Sequence, residues 1–190
     1  MRVIAGKYRS RILQSLKGAE IRPTSDRLRE TLFDILTAGN PAALTGTVWL
    51  DLFAGTGAVG IEALSRGAKM VHFVEESKPA TELIRKNLQS LKIELGFNVL
   101  QQDAIRGFGS LAKQGVDADF AFLDPPYALT ELYGKTLEAL AGLRVMKPEG
   151  VVIAEHEKRF DPGENPGKFV RYRKLVQGDA VLSFYRRGTA

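Results

Sequence analysis

DLFAGTGAVG (residues 51–60) joins an apolar run to a glycine loop and then to an amphipathic run. The apolar run, VWLDLFA (48–54), predicts a strand buried on both faces, and GAVGIEALSRG (57–67) predicts the helix after it. GTGAVG also matches the G-x-G-x-x-G fingerprint of dinucleotide-binding proteins. Glu75 follows Gly55 by 20 residues, near the spacing of an acid that binds a ribose hydroxyl. An NAD-dependent oxidoreductase is therefore the first hypothesis.

Length and composition indicate one globular domain with a basic N-terminal end. The chain has 190 residues, 44% of them hydrophobic, and a formal net charge of +5. Residues 1–29 hold eight Lys and Arg residues against two acidic ones, so the positive charge is concentrated there. The absence of cysteine excludes disulfides, and two scattered histidines argue against a metal site. With no visible signal peptide or membrane span, we expect a cytoplasmic monomer without metal.

Short apolar runs alternate with amphipathic runs from residue 47 onward. This alternation predicts an α/β, Rossmann-like fold with a mostly parallel seven-stranded sheet, helices on both faces and an antiparallel C-terminal hairpin. We divide the chain into an N-terminal extension, residues 1–46, and a main domain, residues 47–190. The predicted strands are 48–54, 70–75, 98–103, 119–124, 150–156, 170–177 and 180–187, and the predicted helices are 26–36, 57–67, 78–92, 104–115 and 129–143.

The N-terminal extension is predicted to be a β-hairpin through VIAGKYRSRILQ (3–14), followed by a helix capped by Ser25. Lys7, Arg9 and Arg11 alternate in KYRSR, so on a strand their side chains would share one face. Such a row of cations can follow a phosphate backbone. From charge alone, a solvated strand face explains the row equally well.

Four predicted strands finish with an acid, namely Asp51, Glu75, Asp103 and Asp124. Because the carboxyl ends of parallel strands meet at one edge of a sheet, we expect these acids to converge on a ligand. Each acid taken singly is explained as well by a helix N-cap. Four in consecutive strands favour a binding site.

Asp51 distinguishes between the candidate ligands. An acid directly before the glycine loop repels the pyrophosphate of a dinucleotide, whereas it suits the cationic amino-acid end of S-adenosylmethionine. Glu75 is then expected to accept two hydrogen bonds from the ribose hydroxyls. Asp103 would accept from the adenine amino group, and Ala104 would donate its backbone N–H to the ring.

Asp124-Pro125-Pro126-Tyr127 predicts a rigid corner, because proline stops helix and strand alike. The Asp124 carboxylate and the Pro125 carbonyl can accept hydrogen bonds from an exocyclic amine, while the Tyr127 ring stacks on a base with roughly 1–3 kcal/mol of stabilisation. Acceptors that hold the amine hydrogens localise its lone pair for attack on a methyl group. The corner therefore favours N-methylation over a purely structural turn.

The segments DLFAGTGAVGIEALSRGA, FVEES, QQDA and FLDPPY resemble the motif series of class I S-adenosylmethionine-dependent methyltransferases, and D-P-P-Y resembles the catalytic motif of those acting on amino nitrogens. With MRVIAGKYRSR and RPTSDRLRETLFDIL added, nearly the whole chain resembles the bacterial family that makes N2-methylguanosine at guanine 966 of 16S ribosomal RNA. The resemblance implies S-adenosylmethionine as methyl donor. It also implies the small ribosomal subunit, or its assembly intermediate, as partner.

Site roles follow from the motifs and the resemblance together. Glu75 is followed by Glu76, so which acid faces the ribose stays open. The residues expected at the target base are Asp124, Pro125, Pro126 and Tyr127; at the cofactor Asp51, Phe53, Gly55, Gly57, Glu75, Asp103 and Ala104; and at the RNA Lys7, Arg9, Arg11, Arg22, Thr24, Ser25 and Arg27.

Three alternatives stay open at this point. The same chemistry can serve a DNA adenine, a DNA cytosine or a protein glutamine amide. An oxidoreductase is the second alternative, and a non-catalytic RNA-binding module that keeps S-adenosylmethionine as a structural ligand is the third.

Overall fold

The computed structural model describes residues 1–15 and 24–188. The strands are β1 Val48–Leu52, β2 Met70–Glu75, β3 Phe97–Gln101, β4 Ala118–Leu123, β5 Met146–Glu157, β6 Phe169–Gln177 and β7 Ala180–Arg187. The helices are α1 Asp26–Thr37, α2 Ala58–Ser65, α3 Lys78–Ser90, α4 Ala104–Lys113 and α5 Glu131–Gly142.

One seven-stranded sheet organises these elements in the order β3-β2-β1-β4-β5-β7-β6. The first five strands run parallel, and β7 pairs antiparallel with both β5 and β6. The predicted Rossmann-like fold with its C-terminal hairpin is confirmed. This topology places the carboxyl ends of β1, β2, β4 and β5 at one edge.

The two faces of the sheet carry separate apolar clusters. Trp49 of β1 belongs to the cluster under α1, α2 and α3, and its ring stacks on Phe33 of α1 with 5.4 Å between centroids. Leu50 belongs to the cluster under α4 and α5. A strand buried on both faces therefore shows a continuous apolar run rather than alternation. Helix α1 shares this core, and the domain boundary at residue 46 stays a prediction.

Strand β5 begins four residues before its predicted start at residue 150. Its pairing with β4 jumps from Ala118↔Met146 to Phe120↔Val151, so extra residues bulge out of the ladder between them. Pro148 lies in this bulge, where its missing N–H leaves no ladder bond unmade. Because proline is rare inside strands, the sequence pattern predicted a strand only from residue 150 onward.

Residues 1–15 form a loose loop where a hairpin was predicted. Their isolated antiparallel bridge joins Arg2 and Ile12, and the chain between them turns, with Ser10 at φ 66°. The prediction of one shared strand face for the alternating cations is therefore wrong, although all three side chains are exposed: they are Lys7, Arg9 and Arg11.

Helix α2 explains why this segment departs from a hairpin. The Glu62 carboxylate accepts from the backbone N–H groups of Ile4 at 2.7 Å and Ala5 at 2.9 Å. The Ser65 carbonyl accepts from Lys7 N at 2.8 Å. Because these donors are satisfied by α2, the segment is bound to that helix and pairs with itself only near its ends, where Val3 N donates to the Arg11 carbonyl at 2.9 Å.

The Glu62 carboxylate is fully buried and is compensated by two arginines. Arg66 Nε lies 2.7 Å from Oε1, and Arg29 Nε lies 3.9 Å from Oε2. Arg29 is also fully buried, and it donates to the carbonyls of Thr24, at 3.4 Å, and Arg2. Removing one member would leave a buried charge without its partner, so this cluster holds α1 and the N-terminal segment on α2.

Substitution of Gly6 tests this docking. Gly6 has φ +81°, and a Cβ there would lie 1.9 Å from the Ser65 carbonyl oxygen, whereas Gly39 has φ +78° and open space around it. We expect G39A to lower the free energy of unfolding by about 1–2 kcal/mol through backbone strain alone. G6A should lower the free energy of unfolding by roughly 2 kcal/mol more than G39A does, because the Ser65 carbonyl must move away from the new Cβ. Denaturant unfolding measures both, and equal losses would contradict the close approach.

Candidate active site

The glycine loop between β1 and α2 adopts a conformation that needs its glycines. Gly55 has φ 53° and Gly57 has φ 75°, and Gly57 is the N-cap of α2. A Cβ at Gly57 would also lie 3.2 Å from the Ile84 side chain and 3.3 Å from the Phe73 ring. Phe53 takes φ 58° without being glycine, a strained conformation at the start of the loop. The loop therefore presents bare backbone at the sheet edge.

Asp51 is buried beside this loop, with 2% of its surface exposed. Its Oδ2 accepts from Gly60 N–H at 2.8 Å, in the first turn of α2. Burial raises the pKa of Asp51 to about 7; the negative charge of Glu75 adds to the rise, and the Gly60 hydrogen bond opposes it. The charge of Asp51 is therefore poised to change near neutral pH.

Glu75 extends from the end of β2 to the glycine loop. Its Oε2 accepts from Gly55 N at 2.9 Å, and its Oε1 accepts from Ser77 N at 2.8 Å. The next residue, Glu76, is exposed. Of the two acids, Glu75 is the one that contacts the loop, and its role at a ribose stays a prediction.

Asp103 is the N-cap of α4. It accepts from Arg106 N at 3.0 Å, and the Arg106 guanidinium lies 3.3 Å from its other oxygen. Ala104, the first residue of α4, is buried. Capping accounts for Asp103 in this structure, and hydrogen bonds from Asp103 and Ala104 to an adenine ring stay predictions.

The corner after β4 has the rigid form that its prolines predict. Pro125 is buried, Pro126 is exposed, and the Pro126 carbonyl accepts from Leu129 N at 2.8 Å, which closes a turn. Asp124 precedes the prolines and is partly buried. Burial raises its pKa well above the usual range, with further contributions from the charges of Glu155 and Asp51. The neighbouring Thr24 side chain opposes the rise.

Glu155 completes this corner, and the sequence analysis did not assign it. It lies near the end of β5, 3% exposed, next to Ala154, which pairs with Leu123 of β4. Its Oε2 accepts from Thr24 Oγ1 at 2.7 Å, and Tyr127 Oη lies 3.4 Å from Oε1. The sequence carried a signal for it, because this acid is the last residue but one of the fifth predicted strand, 150–156.

Asn87 of α3 is a second residue that the sequence analysis missed. It is fully buried, accepts from Gln14 N at 2.8 Å and donates to the Thr56 carbonyl at 3.0 Å. It thereby links the N-terminal segment to the glycine loop. Its position on a helix face between apolar residues gave no sign of this role.

The residues predicted to contact RNA are dispersed. Thr24 reaches the corner, whereas Ser25 caps α1 by accepting from Leu28 N at 3.1 Å. Arg11 donates to the Ser90 carbonyl at 3.2 Å, at the end of α3. Arg27 is exposed on α1, and Arg22 lies outside the described residues.

Within residues 1–15 and 24–188, no group of three or more His, Asp or Glu side chains has the arrangement to hold a metal ion. No helix in the same part of the chain has both the length and the apolar character needed to cross a membrane.

Comparison with known proteins identifies the family. Residues 1–186 match the family described as "Conserved hypothetical protein 95". The chain belongs to this family. It is 33% identical over 187 residues to the putative rRNA methyltransferase YlbH of Bacillus subtilis, covering 98% of this chain and 99% of that one. It is 31% identical to the ribosomal RNA small subunit methyltransferase D of Escherichia coli, covering 98% and 90%. The family resemblance read from the sequence is confirmed.

Solved structures agree with this assignment. The putative methyltransferase yhhF from Escherichia coli superposes with a TM-score of 0.82 at 29% identity, covering 100% of this chain and 99% of that one. A putative methylase from Haemophilus influenzae gives a TM-score of 0.79 at 30% identity, covering 99% and 98%. These relatives support an enzyme with methyltransferase activity on ribosomal RNA.

The stability of the protein should depend on pH through Asp51. A carboxyl whose pKa rises on folding stabilises the folded state below its unfolded pKa, and this contribution is lost as pH rises through the folded value of about 7. D51N removes the free-energy cost of ionising this buried carboxyl. The free energy of unfolding of D51N relative to wild type should therefore rise by roughly 2–4 kcal/mol between about pH 4 and about pH 8.

Denaturant unfolding at the two pH values measures this difference. The control is D117N, because Asp117 is exposed at the other end of β4 and should show no such dependence. An Asp51 variant that tracks wild type at both pH values would show that this carboxyl titrates normally.

Proposed function

We propose that this protein transfers a methyl group from S-adenosylmethionine to the exocyclic N2 amine of a guanine in 16S ribosomal RNA. The observation that carries the proposal is the partly buried Asp124 carboxyl at a two-proline corner, at the same sheet edge as the glycine loop. Membership of the family and the names of its relatives support ribosomal RNA as the substrate.

The residues around the glycine loop suit S-adenosylmethionine. Gly55 and Gly57 allow close approach of a ligand to the backbone, and Glu75 retains lone pairs for ribose hydroxyls besides the two N–H groups it already binds. Asp51 suits a cationic amino-acid group, whereas it would repel a pyrophosphate. When bound there, S-adenosylmethionine supplies an electrophilic methyl group on a sulfonium sulfur.

Asp124 is proposed to act on the amine of the target base. The lone pair of an exocyclic amine is conjugated into the ring, so the nitrogen is a poor nucleophile. An ionised Asp124 and the Pro125 carbonyl accept the two N–H hydrogens and thereby favour a pyramidal nitrogen with a localised lone pair. After the new N–C bond has formed, the nitrogen carries one proton too many, and the Asp124 carboxylate accepts it.

Tyr127 is proposed to hold the base against the corner. Its ring is half-buried, and stacking on a base is sequence-tolerant and worth roughly 1–3 kcal/mol. A guanine that is stacked or paired in the RNA must be turned out of its stack to reach the corner. Most of the rate enhancement then comes from positioning and electrostatics.

A labelling experiment tests the proposal directly. The protein is incubated with radiolabelled S-adenosylmethionine and small ribosomal subunits that lack the modification, and the RNA is digested to nucleosides. We expect label in N2-methylguanosine. Label in adenosine, cytidine, DNA or protein would overturn the substrate, and absence of saturable S-adenosylmethionine binding would overturn the class of reaction.

Asp124→Ala should abolish turnover and leave RNA binding intact. The variant loses the acceptor that activates the amine, so the rate should fall by at least roughly a hundredfold. RNA affinity rests mainly on phosphate contacts and should stay within about twofold of wild type. D117A is the matched control, since Asp117 lies at the opposite end of β4. An active D124A would exclude Asp124 as the catalytic group.

The exposed cations of the N-terminal loop should contribute to RNA binding. Although Lys7 and Arg9 do not share a strand face, both are exposed. We expect K7E/R9E to weaken binding of the small subunit and to lower the salt dependence of binding by about one unit of slope per lost phosphate contact. S-adenosylmethionine affinity should not change.

The control for this variant reverses two exposed cations elsewhere. Lys113 ends α4 and Arg144 precedes β5, so both lie at the edge of the sheet opposite the site. K113E/R144E should bind RNA like wild type. Equal losses in the two double variants would attribute the effect to net charge instead of to the N-terminal loop.

A further inference from the structure

Glu155 is the strongest candidate for an additional functional residue. Its side chain is almost fully buried at the catalytic corner, and no motif used to interpret the sequence includes it. It lies on β5, one strand away from Asp124 and in register with it, because Leu123 pairs with Ala154. A second acid in such a position costs free energy through desolvation and like-charge repulsion, so its presence calls for a function.

The partners of Glu155 come from three separate elements of the corner. Oε2 accepts from the Thr24 hydroxyl at 2.7 Å, and Oε1 is 3.4 Å from the Tyr127 hydroxyl. Its main-chain carbonyl accepts from the Tyr133 hydroxyl of α5 at 2.8 Å. Thr24 precedes α1, and Tyr127 follows the two prolines. One carboxylate thus contacts both the N-terminal extension and the ring proposed to stack on the base.

Thr24 contacts both acids of the corner. Its hydroxyl donates to Glu155, and the same side chain lies close enough to Asp124 to lower the pKa of that carboxyl. Its main-chain carbonyl accepts from the buried Arg29 guanidinium at 3.4 Å. The position of Thr24 is therefore fixed by the same cluster that binds the N-terminal segment to α2.

We propose that Glu155 is a positioning residue for methyl transfer, which holds the Thr24 and Tyr127 hydroxyls at the corner beside Asp124. The proposal rests on the proposed function of Asp124. Glu155 acts through its neighbours, and the acceptor for the amine remains Asp124.

The groups that face Asp124 determine whether a substitution there favours or disfavours ionisation of this carboxyl. The titratable ones are Asp51 of β1, Tyr127, Tyr133 of α5 and Glu155 of β5. The negative charge of Glu155 raises the pKa of Asp124, and the neighbouring Thr24 side chain lowers it. Removing the charge should therefore favour ionisation of Asp124, whereas removing the hydroxyl should disfavour it.

Two substitutions separate these effects in the pH dependence of kcat on small subunits. Because the ionised Asp124 is the active form, the rate falls on the acid side as this group is protonated. E155Q keeps the size of the side chain and should move this acid limb to lower pH by about one unit. T24V should move it in the opposite direction. At high pH, E155Q should still lose roughly tenfold to a hundredfold in kcat, with a smaller change in KM, because Tyr127 and Thr24 are no longer held.

A measurement without RNA or S-adenosylmethionine distinguishes failure of this proposal from failure of the proposed function. Denaturant unfolding of wild type and E155Q is compared at about pH 5 and about pH 8. E155Q should gain stability relative to wild type at the higher pH, since one of two crowded carboxylates is gone. E149Q is the control, because Glu149 is exposed at the opposite end of β5.

Failure of the proposed function and failure of the proposal on Glu155 give different results. If wild type labels no guanosine, the proposed function fails, and the unfolding comparison still decides whether Glu155 and Asp124 are coupled. If wild type is active and E155Q and T24V shift the acid limb in the same direction, or neither shifts it, the proposal is overturned. A pH-independent stability difference for E155Q would overturn it as well.

Discussion

Crowding of carboxylates at one edge of a parallel sheet is the constraint on which the site depends. Parallel pairing brings the ends of β1, β2, β4 and β5 together, and each end carries an acid. Like charges in a buried place are unfavourable unless donors or cations compensate them. The fold supplies backbone N–H groups to Asp51 and Glu75 and hydroxyls to Glu155. Acids that would destabilise an ordinary core are thereby kept where a cationic donor and an amine are expected to bind.

The N-terminal segment follows the same principle on the outer side of α2. Glu62 is buried and is satisfied by two backbone N–H groups and two arginines. This carboxylate, together with Ser65 and Asn87, determines the position of the segment on the main domain. Through Arg29 and Thr24 this anchor connects to the catalytic corner, so the extension is built into the site.

Much of the fold could be predicted from the sequence, because buried strands and amphipathic helices leave strong patterns. The order of elements, the hairpin at the end and the rigid corner at Asp124 required only apolar runs, glycines and prolines. The path of residues 1–15 could not be predicted, since its hydrogen-bond partners lie on α2, and a local pattern contains no information on distant acceptors. The role of Glu155 was not predicted for another reason: it depends on a hydrogen bond with Thr24, a residue 131 positions away. Arg29 and Asn87 are similar, because only tertiary packing turns these polar residues inward.

The anchoring of the first residues on α2 and α3 has a consequence for biosynthesis. Ile4, Tyr8 and Gln14 emerge from the ribosome long before their partners Glu62, Ser65 and Asn87, which lie 57–73 residues downstream. Contacts of such long sequence separation form late, because a large loop must close first. A nascent chain therefore carries its basic N-terminal segment unattached until α2 has been synthesised, and Gln14 finds its partner only after α3 has followed. Attachment of that end then becomes a closing step of maturation, completed only after the glycine loop has formed.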